Sequence, residues 1–276
     1  MFPVTISLMV ITVSKFIDNL NRISQAAPQP IGFRASKATQ TKHQMQLVAA
    51  MSAGDGTGTP ADYATGADAG LLRVSKLGSG ARTPKKLAPP TPDIPWGVWL
   101  EGAAQEGLKQ ALELEFDFVI FHAASTTLVV PPDDGAGIII QVDTSIVEGL
   151  LRTVNELPVD AVLIASQPEG NSRLTWHQLM LFQRFASLVT KPLLVLIPPG
   201  TDSDELQLLW EAGIDGVVVE TGPEQPPGEV TRLRQVIDGM KIPAARKRQK
   251  MDALLPRAER DAETIAEIEE EEDEDE

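Results

Sequence analysis

Apolar residues in this chain recur in two rhythms. One is a short unbroken run rich in Val, Ile and Leu; the other is the three-and-four spacing of a helix with one buried face. The stretch Lys191–Thr221, KPLLVLIPPGTDSDELQLLWEAGIDGVVVET, holds both. Leu193–Ile197 is a continuous run ended by Pro-Pro-Gly. Leu206, Leu209 and Trp210 then share a helical face, Gly213 stops the helix, and Val217–Val219 forms a second run that ends at Glu220. Uninterrupted runs read as strands buried on both faces, and a helix joining two of them makes a βαβ unit of a parallel sheet.

The same pattern repeats. Four times an Asp introduces an apolar run, at Asp68, Asp117, Asp160 and Asp215, with spacings of 49, 43 and 55 residues. Each interval is about two βα units long. Between them lie Gln46–Met51, Gly97–Leu100, Ile138–Val142 and Leu193–Ile197. Eight strands in alternation with helices predict an α/β fold, a (β/α)8 barrel of parallel strands over about residues 46–240. An open doubly wound sheet is the alternative, because closure leaves no mark in sequence.

Helical spacing is clear in residues 14–25 (with Ser14 as N-cap), 106–114, 146–157, 174–189, 203–212 and 229–240. After the first, second and fourth strands it is short or broken by proline, so one flank, residues 59–95 and 123–137, looks thinly covered. The N-terminal extension, residues 1–45, is expected to pack on the barrel there, or a homodimer contact to cover it. Residues 241–276 turn basic at Arg246–Lys250 and then acidic, ending in EEEEDEDE. Like charges in such a run repel, so this reads as a disordered, solubilising tail.

Charge and composition narrow the function classes. The net charge is −15, but residues 251–276 hold 13 acids against two arginines. The body is close to neutral and has no basic footprint for nucleic acid. There is no cysteine, which excludes thiolate chemistry and disulfides. Met1–Val13 is apolar but too short to span a bilayer, and its first charge, Lys15, follows the apolar stretch instead of preceding it. The expectation is a cytoplasmic protein without membrane attachment. The segment itself reads as a buried strand, with a weak signal segment as the other reading.

Active sites of such barrels lie at the C-terminal ends of the strands. Those ends supply Glu101, His122, Asp143 and Glu220, with Arg73 and Lys76 after the second strand. Carboxylates with one imidazole suit a hard divalent cation: Glu101, Asp143 and Glu220 are the candidate metal ligands. His122 and Lys76 are the candidate catalytic groups for moving a proton beside a polarised carbonyl. Lys76, among other cations, is also weighed as a Schiff-base lysine. The competing reading is that strand-ending carboxylates cap the next helix, which Asp143-Thr144-Ser145 would fit. A phosphate site after the last two strands has the right position at Pro199-Gly200-Thr201, but Asp202, Asp204 and Glu205 oppose it.

The segment Glu211–Val219, EAGIDGVVV, resembles the AG-x-D-G-V-V-V turn into a late strand of phosphate-binding and flavin-dependent TIM-barrel families. Gly66–Leu72 is its weaker companion. The resemblance implies the barrel fold. It selects no activity, since aldolases, isomerases, synthases and flavoenzymes share it, and the phosphate-loop glycines that should follow are missing. Two functions are carried forward: a metal-assisted lyase or isomerase acting on a small oxygenated metabolite, and a non-catalytic barrel serving as a binding or assembly subunit.

Overall fold

The computed structural model describes residues 14–24, 44–52, 60–74, 93–101, 109, 116–128, 135–165, 173–223, 225 and 228–240. The eight apolar runs all become strands: β1 (Gln46–Ser52), β2 (Ala69–Val74), β3 (Trp96–Leu100), β4 (Phe118–His122), β5 (Gly137–Asp143), β6 (Ala161–Ala165), β7 (Leu193–Ile197) and β8 (Gly216–Glu220). Every neighbouring pair is parallel, and β8 pairs with β1, so the sheet closes into a barrel. Stepping from Ser52 through Arg73, Trp99, Ile120, Ile139 and Ala161 and on around the sheet returns to β1 at Gln44, eight residues below the start. A shear of eight on eight strands is that of a (β/α)8 barrel.

The strands are apolar over most of their length because both faces are buried. Val48, Leu71, Trp99, Ile120, Ile139, Leu163, Leu194 and Val218 point inward and form one cluster. Alternate residues such as Leu47, Trp96, Val119, Ile164 and Val195 belong to a second cluster under the helices. The two tryptophans of β3 thus part, Trp96 outward and Trp99 inward. Each fully buried aliphatic side chain contributes about 1.5–3 kcal/mol.

Among the described residues, the helices around the sheet include α2 (Pro60–Tyr63), α3 (Glu148–Thr153) with a 3-10 turn at Val154–Glu156, α4 (Trp176–Leu188), α5 (Ser203–Ala212) and α6 (Glu229–Gly239). Local chemistry sets the ends. Thr175 with Gln178 and Asp202 with Glu205 form capping boxes at the starts of α4 and α5. Gly213, at φ 110°, takes the left-handed conformation that stops α5. Of the sequence-predicted helix over 106–114 only Lys109, which is helical, is described; residues 1–13 and the tail lie outside the described residues. So do residues 75–92 and 129–134 of the expected thin flank.

The remaining helix, α1 (Lys15–Ser24), lies across the N-terminal end of the barrel, not along its flank. Phe16, Ile17 and Leu20 join the interior cluster, and Phe16 stacks on Phe118 with ring centroids 4.4 Å apart. Close approach requires Gly137: a Cβ there would lie 2.3 Å from Ile17 Cγ1. Ser14 accepts the Ile17 N–H as the predicted cap, and Asp117 accepts from Ser14 Oγ and the N–H groups of Lys15 and Phe16 at 2.8–2.9 Å.

The Asp repeat has a common cause. Asp68, Asp160 and Asp215 stand just before β2, β6 and β8, and each carboxylate accepts the N–H of a residue at the start of the preceding strand: Leu47 at 2.9 Å, Ile138 at 2.7 Å and Leu193 at 2.8 Å. Their own N–H groups donate back to the carbonyls of the same three residues. Each Asp therefore clamps two strands in register at the barrel floor. Asp117 keeps the backbone half of the pattern, donating to Trp96 O, while its carboxylate holds α1.

Candidate functional site at the barrel mouth

α1 occupies the N-terminal floor, and the polar strand-end residues stand at the opposite, C-terminal mouth. Strand alternation turns Arg73, Trp99, Glu101, His122, Gln141, Asp143 and Glu220 toward it. Arg73, at the end of β2, donates through Nε to Glu101 and through Nη1 to Glu220. Its guanidinium lies 4.8 Å from the centre of the Trp99 ring. Trp99 Nε1–H donates to Gln141 Oε1 at 2.8 Å, which ties β3 to β5 across β4.

On the far side His122 and Asp143 meet. His122 Nε2 lies 3.2 and 3.3 Å from the two Asp143 carboxylate oxygens, and Ser125 Oγ lies 3.4 Å from His122 Nδ1. Asp143 is thereby assigned: α3 begins after Val147 with no side-chain cap, so the Asp143 carboxylate faces the histidine and is no helix cap. In the tautomer whose Nε2–H donates to Asp143, Nδ1 is the basic nitrogen, turned to the serine hydroxyl.

The predicted site residues therefore come together as two groups. Glu101 and Glu220 share Arg73; His122 and Asp143 pair with each other. Among the described residues no three His, Cys, Asp or Glu side chains are grouped to hold a metal ion. Lys76 lies outside the described residues. Arg73 was placed at its strand end by sequence, as a cation closing the apolar run AGLLRV, but not as the partner of the two glutamates. Sequence reasoning missed two participants, Gln141 and Ser125. Gln141 had a signal, as the polar residue of GIIIQVD. Ser125 had only its position three residues after a strand-ending histidine.

The loop after β7 is occupied from within. Gly200 N–H donates to Glu229 Oε1 at 2.7 Å, and Arg232 grips both Glu229 oxygens and the Thr201 carbonyl. The Arg232 hydrogen bond above all, helped by the Gly200 N–H and opposed by burial, holds the Glu229 carboxyl below its ordinary value, and the same pairing raises Arg232. An internal carboxylate thus takes the Gly200 amide that a phosphate would use. Beside β8 a cavity of about 430 Å³ opens between Tyr63 and Thr65 on one side and Thr221, Gly222 and Gln225 on the other.

By sequence, the chain matches no protein-family model and no curated protein. By structure it is similar to mutant tryptophan synthase alpha-subunits from the hyperthermophile Pyrococcus furiosus. Two of these, at 12% and 13% identity, each superpose with a TM-score of 0.51 over 70% of this chain and 96% of theirs. A further structure of that subunit, described for its entropic stabilisation, gives the same TM-score and coverage at 13% identity. At such identity the likeness shows the fold alone, a TIM barrel.

Proposed function

We propose that the mouth is an active site for proton transfer on a small oxygenated metabolite, an isomerase or lyase in reaction type. The observation that supports this best is His122, held by Asp143 through Nε2 with Nδ1 left as a base at the open edge. A histidine oriented in this way transfers a proton at neutral pH. Glu101 and Glu220, spaced by Arg73, supply hydrogen-bond acceptors for hydroxyl groups, and Arg73 and Trp99 supply donors and an apolar face. Among the described residues of the mouth, one cation, Arg73, stands against the three carboxylates Glu101, Asp143 and Glu220, which makes this part of it acidic. It therefore favours an uncharged or cationic substrate over a phosphorylated one. A divalent cation would have to take Glu101 or Glu220 from Arg73, so the reading routes its acid–base chemistry through His122.

The test is exchange in deuterated water. A panel of hydroxyaldehydes, hydroxyketones and amino sugars is incubated with the protein, and loss of the α-proton signal is followed by NMR. Exchange that falls about 10²–10⁴-fold in His122→Ala supports the reading. Exchange at the same rate with and without His122 sinks it.

A further inference from the structure

From Ser125, His122 and Asp143 we infer a second chemistry at the same mouth: acyl transfer, with Ser125 as the nucleophile and esters of small uncharged acids as substrates. The inference rests on the proposal that His122 is the base of this site. Three groups stand in the order that activates a hydroxyl. The Asp143 carboxylate faces one imidazole nitrogen from β5, and the Ser125 hydroxyl faces the other from the turn after β4. The 3.4 Å between Ser125 Oγ and His122 Nδ1 is a separation such pairs show before substrate tightens them. A serine that merely satisfied its own turn would need no carboxylate on the opposite nitrogen. Here that carboxylate comes from the neighbouring strand, brought by the register that pairs His122 with Gln141.

The turn also presents the serine. Thr126 N–H donates to the His122 carbonyl at 3.2 Å, closing one helical turn that places Ser125 under the imidazole. Ala123, Ala124 and Ser125 are exposed, so an acyl group can reach the hydroxyl. Among the described residues no acceptor takes the N–H of Ala124 or Ser125, which leaves both as donors for an acyl oxygen. The acidic mouth sets the preference for an uncharged acyl group.

The steps balance without a cofactor. Ser125 Oγ attacks the ester carbonyl while its proton passes to His122 Nδ1. The C–O bond to the alcohol breaks, and the alcohol leaves with that proton. Water then attacks the acyl-serine, giving one proton to Nδ1 and releasing the carboxylic acid as Ser125 recovers its hydrogen. Asp143 stabilises the imidazolium in both halves.

The experiment uses the full chain with an alkyl fluorophosphonate and with p-nitrophenyl acetate. Expected are an adduct located on Ser125 by peptide mass spectrometry, absent after heat denaturation and in His122→Ala, and ester hydrolysis that falls about 10³-fold in Ser125→Ala. Asp143→Asn should fall comparably while circular dichroism shows the barrel intact. An unlabelled Ser125, or hydrolysis unchanged in Ser125→Ala, overturns the inference. Deuterium exchange that still depends on His122 in Ser125→Ala would then show the proton-transfer reading standing without it. A labelled Ser125 with no exchange on any panel member would leave acyl transfer and remove the isomerase or lyase reading.

Discussion

Glu229 is a carboxylate whose neighbours decide its charge, and its effect should be visible as a pH dependence. Its folded pKa is depressed from 4.5, with the Arg232 hydrogen bond as the largest cause. A depressed acid contributes stability above its unfolded pKa and loses it as pH falls through the folded one. Glu229→Gln should therefore cost about 1 kcal/mol at pH 7, after allowance for solvent screening, by weakening the grip on Gly200 and Arg232. The difference from wild type should hold from about pH 7 to pH 5.5 and shrink below about pH 4.5. Urea midpoints at pH 7 and pH 4 check it, and a gap that does not change with pH counts against the ion pair. At this scale the sequence was a partial guide. It placed Glu101, His122, Asp143 and Glu220 at strand ends, because strand ends are readable. It did not say that an arginine from β2 would stand between two of them, because that contact joins residues 147 positions apart.

Among the elements, α1 is the one whose place periodicity could not predict. Its buried face, Phe16, Ile17 and Leu20, was legible as a stripe; what the stripe covers was not. Asp117 makes the connection by accepting three bonds from the start of the helix. Asp117→Ala removes that cap, and about 1–2 kcal/mol of stability should go with it. Hydrogen exchange separates this from a general loss: residues 15–20 should lose protection first, while β5 to β8 keep theirs. Uniform loss of protection would mean that α1 and the barrel open together. The Asp repeat shows the same division between pattern and purpose. It was found as a period in sequence, and three of its four carboxylates have one task, holding the N–H of the neighbouring strand. In the fourth, the task went to α1.

At the scale of the whole molecule, closure sets the stability and the direction of access. Each strand has two partners, so the barrel has no edge, and α1 occupies its N-terminal end. A chain ended after Gly213 lacks β8 and α6 and exposes one side each of β1 and β7. It should lose near-UV circular dichroism and associate at micromolar concentration; a monomeric, cooperatively unfolding product would show that closure is not what holds the sheet. The described helices do carry exposed apolar side chains, Val147 and Leu150 at α3, Trp176 and Met180 on α4.

Taken by itself, the sequence determined which segments are strands, their number and parallel alternation, and most helix ends. Those properties follow from local composition: continuous Val, Ile and Leu, capping residues, a stop glycine. It determined as well which polar residues stand at the strand ends. Closure, shear, the plugged floor and the pairing of His122 with Asp143 were decided by the tertiary structure. Each depends on register between segments far apart in the chain, and register is settled by packing the inner and outer faces at once. The same physics explains why a serine in the turn after β4 could be overlooked: its meaning lies in the imidazole above it and the carboxylate beyond, and only the folded sheet brings the three together.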